Sequence, residues 1–107
     1  MFINYEEKEL NYLFKSDPVY IYEKEVGMFI YSFSDINGIK ITINVSIYEK
    51  EIILLLSQKE EIILENKLKN VESLFSEKDY LRIHQNDAAQ DIIIYFTPNI
   101  LVNYIDN

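Results

Sequence analysis

The stretch "IKITINVSIY", from Ile39 to Tyr48, alternates Ile39, Ile41, Ile43, Val45 and Ile47 with Lys40, Thr42, Asn44, Ser46 and Tyr48 without a break. Successive side chains of a strand point to opposite faces, so this pattern predicts a strand with one fully apolar face. A slip of one residue would carry all five β-branched side chains into water, so the register is strongly specified. The apolar row is expected to face a core and its helices. In the other row Thr42, Asn44 and Ser46 are small, uncharged and able to hydrogen bond, which suits a solvated face or a flat surface that another protein covers.

Around this strand the chain reads as a meander. Asn37-Gly38 supplies residues that tolerate positive φ, either as the turn of a hairpin between Met28 to Ser34 and Ile39 to Tyr48 or as the end of a slightly longer loop. Charged turns at Glu49-Lys50-Glu51 and Gln58-Lys59-Glu60-Glu61 separate the strand-length runs "IILLLS" and "IILE". "VYIYEKEV" and "MFIYSFSD" make one or two strands by their β-branched and aromatic content, and "YLRIHQ" and "DIIIYFTP" are further strands, with Pro98 ending the last or breaking its ladder. The closing "NILVNYIDN" fits an edge strand or a short helix equally well.

Two segments break the period of two. Leu10, Leu13 and Phe14 recur at helical spacing behind Asn4, with Glu7 in the position of a capping partner, and Ser16, Asp17 and Pro18 stop the run. A helix is expected over Tyr5 to Lys15. Leu68, Val71, Leu74 and Phe75 also share one helical face, which predicts a second helix. The expected fold is therefore α+β: one domain, residues 1–107, with an antiparallel meander sheet of about five or six strands and helices packed on one face.

Composition limits what such a domain can do. The 107 residues are 49% hydrophobic and 26% charged, enough to bury a single core and far from the composition of disordered chains. There is no cysteine, hence no disulfide and no thiolate metal site. The start, "MFINYEEKEL", has no basic segment followed by an apolar run, and the longest apolar run, Ile52 to Leu56, is far short of the roughly 20 residues of a membrane helix. A cytoplasmic, soluble protein is expected. Its formal net charge of -8 repels phosphate backbones and anionic membranes and attracts cationic partners, so neither nucleic acid nor membrane is an expected ligand.

The residues for chemistry are sparse. Gly27 and Gly38 are isolated, so no glycine-rich loop can cradle a phosphate. The single imidazole, His84, sits beside Arg82 on a strand face, where an exposed structural role outweighs general acid or base work assisted by Asp79 or Asp87. No calcium-loop motif orders the carboxylates, and no cofactor, metal ligand or catalytic residue is assigned. What remains is a surface of carboxylates and tyrosines. The acidic groups Glu6-Glu7-Glu9, Glu23-Glu25, Glu49-Glu51 and Glu60-Glu61-Glu65 fall at helix starts or turns, and the nine tyrosines suit half-buried sheets or interfaces.

The whole-chain pattern resembles the small acidic immunity proteins encoded beside bacterial polymorphic or contact-dependent toxins. The likeness is carried by a helix near "YEEKELNYLF", the meander "IKITINVSIYEKEIILLLSQKEEIIL", the terminal "DIIIYFTPNILVNYID" and an Ile-, Lys-, Asn- and Tyr-rich composition typical of a low-GC bacterium. Such proteins share no common active site. The resemblance implies a non-enzymatic inhibitor that covers the active site or substrate groove of a cognate, basic, nuclease-like toxin. Tyr48, Glu49, Glu51, Glu60 and Glu61 are the candidate contacts. The competing class is a structural or assembly module that self-associates, or joins a larger complex, through its sheet face or edge. Small-ligand binding inside the sheet is the least favoured class.

Overall fold

The computed structural model describes residues 2–77 and 79–106. Among the described residues one helix, α1 (Glu7–Phe14), precedes nine strands: β1 (Val19–Tyr20), β2 (Met28–Ser34), β3 (Ile39–Ser46), β4 (Glu51–Gln58), β5 (Glu61–Leu68), β6 (Val71–Glu77), β7 (Tyr80–Gln85), β8 (Gln90–Tyr95) and β9 (Leu101–Asp106). They form not one sheet but two, ordered β1-β2-β3-β4-β5 and β6-β7-β8-β9, with every paired neighbour antiparallel. A single short 3₁₀ turn, Lys24–Val26, lies between β1 and β2. The meander is therefore correct within each sheet, and the expectation of one sheet of five or six strands is not.

The break between sheets falls where a second helix was expected. Leu68 ends β5, Lys69 and Asn70 turn the chain, and Val71 opens β6, with Asn70 at φ 56°. Register shifts between Val71 and Ser73, because Glu72 is an extra residue opposite β7. This bulge puts Val71 and Leu74, three apart, both into the core, while Phe75 turns outward and is 52% exposed. A bulged strand thus imitates helical spacing.

Residues 3 and 4 close the seam between the sheets. The Ile3 amide donates to the Ile47 carbonyl, the Asn4 amide to Glu72, and the Leu74 amide to the Asn4 carbonyl. Asn4 is thereby held in a parallel bridge to Ser73 rather than capping the helix. The residue at the N-cap is Glu6, which makes no side-chain cap bond, and Lys15 at φ 58° closes the other end.

Both inner faces and α1 share one core. Leu10, Leu13 and Phe14 of α1 meet Phe29, Tyr31, Ile41, Ile43, Val45, Ile52 and Leu54 from the first sheet and Val71, Leu74, Leu81, Ile83, Ile92 and Ile94 from the second. Ile41, Ile43 and Val45 are buried as the alternation requires. Each such side chain contributes roughly 1.5–3 kcal/mol. Together they rival the roughly 5–15 kcal/mol net stability of a domain, which is why β3 has one register.

The opposite row of β3 is not simply solvated. Register places Val19, Ile30, Asn44, Ile53 and Lys67 across one row of the outer face, and Ser32, Thr42, Leu55 and Glu65 across the next. Thr42, Asn44 and Ser46 are half-buried among these neighbours. β9, left open between strand and helix by the sequence, is the edge strand of the second sheet.

Candidate functional site

The five candidate contacts divide between the two ends of β4. Tyr48 and Glu49 lie exposed in the turn Ile47 to Lys50, and Glu51 opens β4 with its carboxylate 3.7 Å from Lys67 Nζ. Glu60 sits in the tight turn at the far end, and Glu61 opens β5. The eight residues of β4 separate the groups. At about 3.4 Å per residue that is roughly 24 Å, so the five do not form one compact charge cluster.

Charge does gather at the Tyr48 end. The Ile47 amide donates to the Gly27 carbonyl, bringing the 3₁₀ turn with Glu23 and Glu25 beside the turn that carries Tyr48 and Glu49. Gly27, at φ 77°, packs directly under the Tyr48 ring, and a Cβ there would lie 2.8 Å from Tyr48 Cε2. Next to them the sheet face is concave, a hollow of about 240 Å³ whose lining includes Met28, Asn44, Glu49, Glu51, Ile53 and Lys67. Its lining is apolar at Met28 and Ile53 and acidic at Glu49 and Glu51.

A second polar surface lies on the outer face of the second sheet. Asp91, 2% exposed, accepts from Arg82 Nε at 2.6 Å and pairs with His84 Nδ1 at 2.7 Å. Burial alone would push the Asp91 carboxyl up, but the bonds from His84 and Arg82 outweigh it and hold the group below its ordinary range. Phe75 and Glu77 complete an open concavity of about 440 Å³ with these three side chains. The carboxylate that meets His84 is Asp91, not Asp79 or Asp87, which the sequence offered only for the less favoured acid–base role. One step beyond the Ile83–Ile92 pair, the register brings Asp91 opposite His84, so correct pairing of "YLRIHQ" with "DIIIYF" was the signal for it.

The Asp91 carboxylate takes up the Nδ1 side of the His84 ring. Among the described residues no hydroxyl is hydrogen bonded to His84. No group of three or more His, Cys, Asp or Glu side chains is arranged to hold a metal ion among the described residues. No described helix is long and apolar enough to cross a membrane.

Known proteins give one firm comparison. No protein-family model and no curated protein matches the sequence. Over 100% of its length the chain matches 100% of a chain in a solved structure, the "Contact-dependent growth inhibition toxin - immunity protein complex from Klebsiella pneumoniae 342", with a TM-score of 0.82 and 25% identity. The fold is that of a chain in a toxin–immunity protein complex. This agrees with the resemblance to immunity proteins drawn from the sequence.

Proposed function

We propose that the protein is an immunity protein of a contact-dependent growth inhibition system, acting in the cytoplasm of a bacterium. It binds a cognate toxin and neutralises it without chemistry of its own. The observation that carries this reading is the end-to-end match to a chain of such a complex. The net charge of -8 supports it, since it favours a cationic partner. The toxin is basic and nuclease-like, and the immunity protein covers its active site or substrate groove, where phosphate-binding lysines and arginines meet the carboxylates.

The proposed contacts are Tyr48, Glu49 and Glu51 at one end of β4, and Glu60 and Glu61 at the other. A standard interface covers about 800 Å² per partner, a footprint about 30 Å across, so both ends fit within one contact surface laid along the β4–β5 hairpin. The test is to mix the purified protein with the product of the adjacent reading frame and titrate salt. Tight binding that weakens as salt rises, with loss of toxin activity in the complex, is the expected result. Failure to bind, or binding that leaves the toxin active, sinks the reading.

A second reading has one observation in its favour. β5 is a free edge of the first sheet, and Ile62, Ile63 and Leu64 are 60%, 58% and 37% exposed along it. Such an edge can pair with another chain. Concentration-dependent self-association insensitive to salt, in the absence of toxin binding, would favour an assembly module instead.

A further inference from the structure

We infer that the hollow on the outer face of the first sheet, bounded by Met28, Asn44, Glu49, Glu51, Ile53 and Lys67, is the seat for one arginine side chain of the toxin. The inference rests on the immunity reading and names the contact at its centre. Its lining combines the apolar side chains of Met28 and Ile53 with the carboxylates of Glu49 and Glu51. An arginine buries its aliphatic stem along apolar surface while presenting a planar fork of donors to carboxylates.

Two observations point to an incoming guanidinium rather than to a plain solvated face. The first is Lys67, whose Nζ lies 3.7 Å from Glu51 Oε1 while the lysine side chain is 55% exposed. Glu51 already takes a cation, but holds it loosely and at the long end of ion-pair distance. A planar, bidentate partner displaces it readily. The second is Asn44, which lines the same hollow and whose Oδ1 is shielded from solvent with no hydrogen-bond partner. An unpaired buried acceptor is a cost to the free protein. A guanidinium seated in the hollow that Asn44 lines carries five donors, one of which would satisfy that oxygen while others meet Glu51.

These roles give opposite signs that a purely structural role would not produce. Glu49→Gln and Glu51→Gln each weaken toxin binding about tenfold, the measure of one charge pair lost in an interface. Lys67→Met, which breaks the same ion pair from the other side, tightens binding about threefold by removing a competitor. Asn44→Val raises the melting temperature of the free protein and weakens toxin binding.

The experiment is calorimetric titration of the adjacent-frame toxin into wild type and these four variants, with thermal unfolding of each as the folding control. Pairing Glu51→Gln with arginine-to-alanine changes on the toxin then locates the partner, because one arginine loses its effect when Glu51 is already neutral. If wild type does not bind, the immunity reading and this inference fall together. If wild type binds but Glu51→Gln and Lys67→Met shift affinity in the same direction, or no toxin arginine couples to Glu51, the seat is refuted while the immunity reading stands.

Discussion

The hydroxyl of Tyr31, on β2, donates to Asn11 Oδ1 of α1 across 2.5 Å, from a side chain that is 1% exposed and stacked on Phe14 at 4.8 Å. The bond ties the helix to the first sheet from within the core. The two ends are unequal, since Asn11 is half-buried and can turn to water, whereas the Tyr31 hydroxyl cannot.

Tyr31→Phe should therefore cost about 1 kcal/mol, and Asn11→Ala more, about 2 kcal/mol, because it strands a buried hydroxyl. For a domain of this size each kcal/mol lowers the melting temperature by roughly 4–8 °C. Burial, followed by the nearby Glu7 carboxylate, pushes the Tyr31 phenol above its ordinary value of 10. A raised folded-state pKa gives stability that is complete below the unfolded value and lost as pH climbs past it. The Tyr31→Phe difference should stay flat from pH 5 to pH 9, and a slope across that range in denaturant titrations would refute this account.

Asp91 contributes to the loss of stability in acid. Its carboxyl is held below the ordinary 3.8 by His84 and Arg82. A depressed folded-state pKa gives stability present above the unfolded value and lost as pH falls toward the folded one. Wild type should lose stability from about pH 5 downward more steeply than Asp91→Asn. At neutral pH, Asp91→Ala removes the hydrogen bonds to Arg82 and His84, both about a third exposed and able to turn to water, and should cost about 1–2 kcal/mol. Urea unfolding at pH 7 and pH 3.5 checks both, and parallel acid losses in wild type and variant would remove Asp91 from the explanation.

The residues that misled the sequence reading share a cause. Strands with unbroken alternation were legible: β3 by Ile41, Ile43 and Val45, and β7 by Leu81 and Ile83. Their faces follow from burial alone. What local pattern cannot show is the pairing partner of a strand. Glu72 shifts the parity of β6 and disguises it as a helix, and Asn4 spends its backbone on Ser73 instead of a cap. The candidate site suffered likewise. Glu51 and Glu61 look close in sequence, but the length of β4 separates them, while Met28 and Lys67, distant in sequence, meet Glu51 in one hollow.

The turn joining β4 to β5 offers a stabilising change. Lys59 and Glu60 stand at φ 51° and 67° between the paired residues Gln58 and Glu61, the two-residue hairpin geometry that normally selects Asn-Gly. Neither Lys nor Glu is suited to a left-handed backbone. Replacing the pair by Asn-Gly should stabilise the protein by about 1 kcal/mol. The same variant removes Glu60, so an unchanged toxin affinity in a more stable protein would strike that residue from the proposed contacts.

Gly27 and Gly38 make a matched pair for the opposite effect. Both have positive φ, 77° and 82°, so alanine at either pays for a left-handed backbone. That term is about 1–2 kcal/mol and common to both. The surroundings differ. A Cβ on Gly38 meets nothing within 4 Å, whereas one on Gly27 lies 2.6 Å from Ile47 Cγ1 and 2.8 Å from Tyr48 Cε2. Something must move at Gly27, and the backbone of Ile47 is fixed there by its bond to the Gly27 carbonyl. The exposed Tyr48 ring can give way, but the tighter contact with the Ile47 side chain, which packs against the core, remains. Gly27→Ala should therefore be the more destabilising by about 1 kcal/mol or more, and should also weaken toxin binding, while Gly38→Ala leaves binding unchanged. Equal melting temperatures for the two variants would mean that the ring and the Ile47 side chain move aside without cost, and undiminished binding by Gly27→Ala would show that the position of Tyr48 does not matter to the complex.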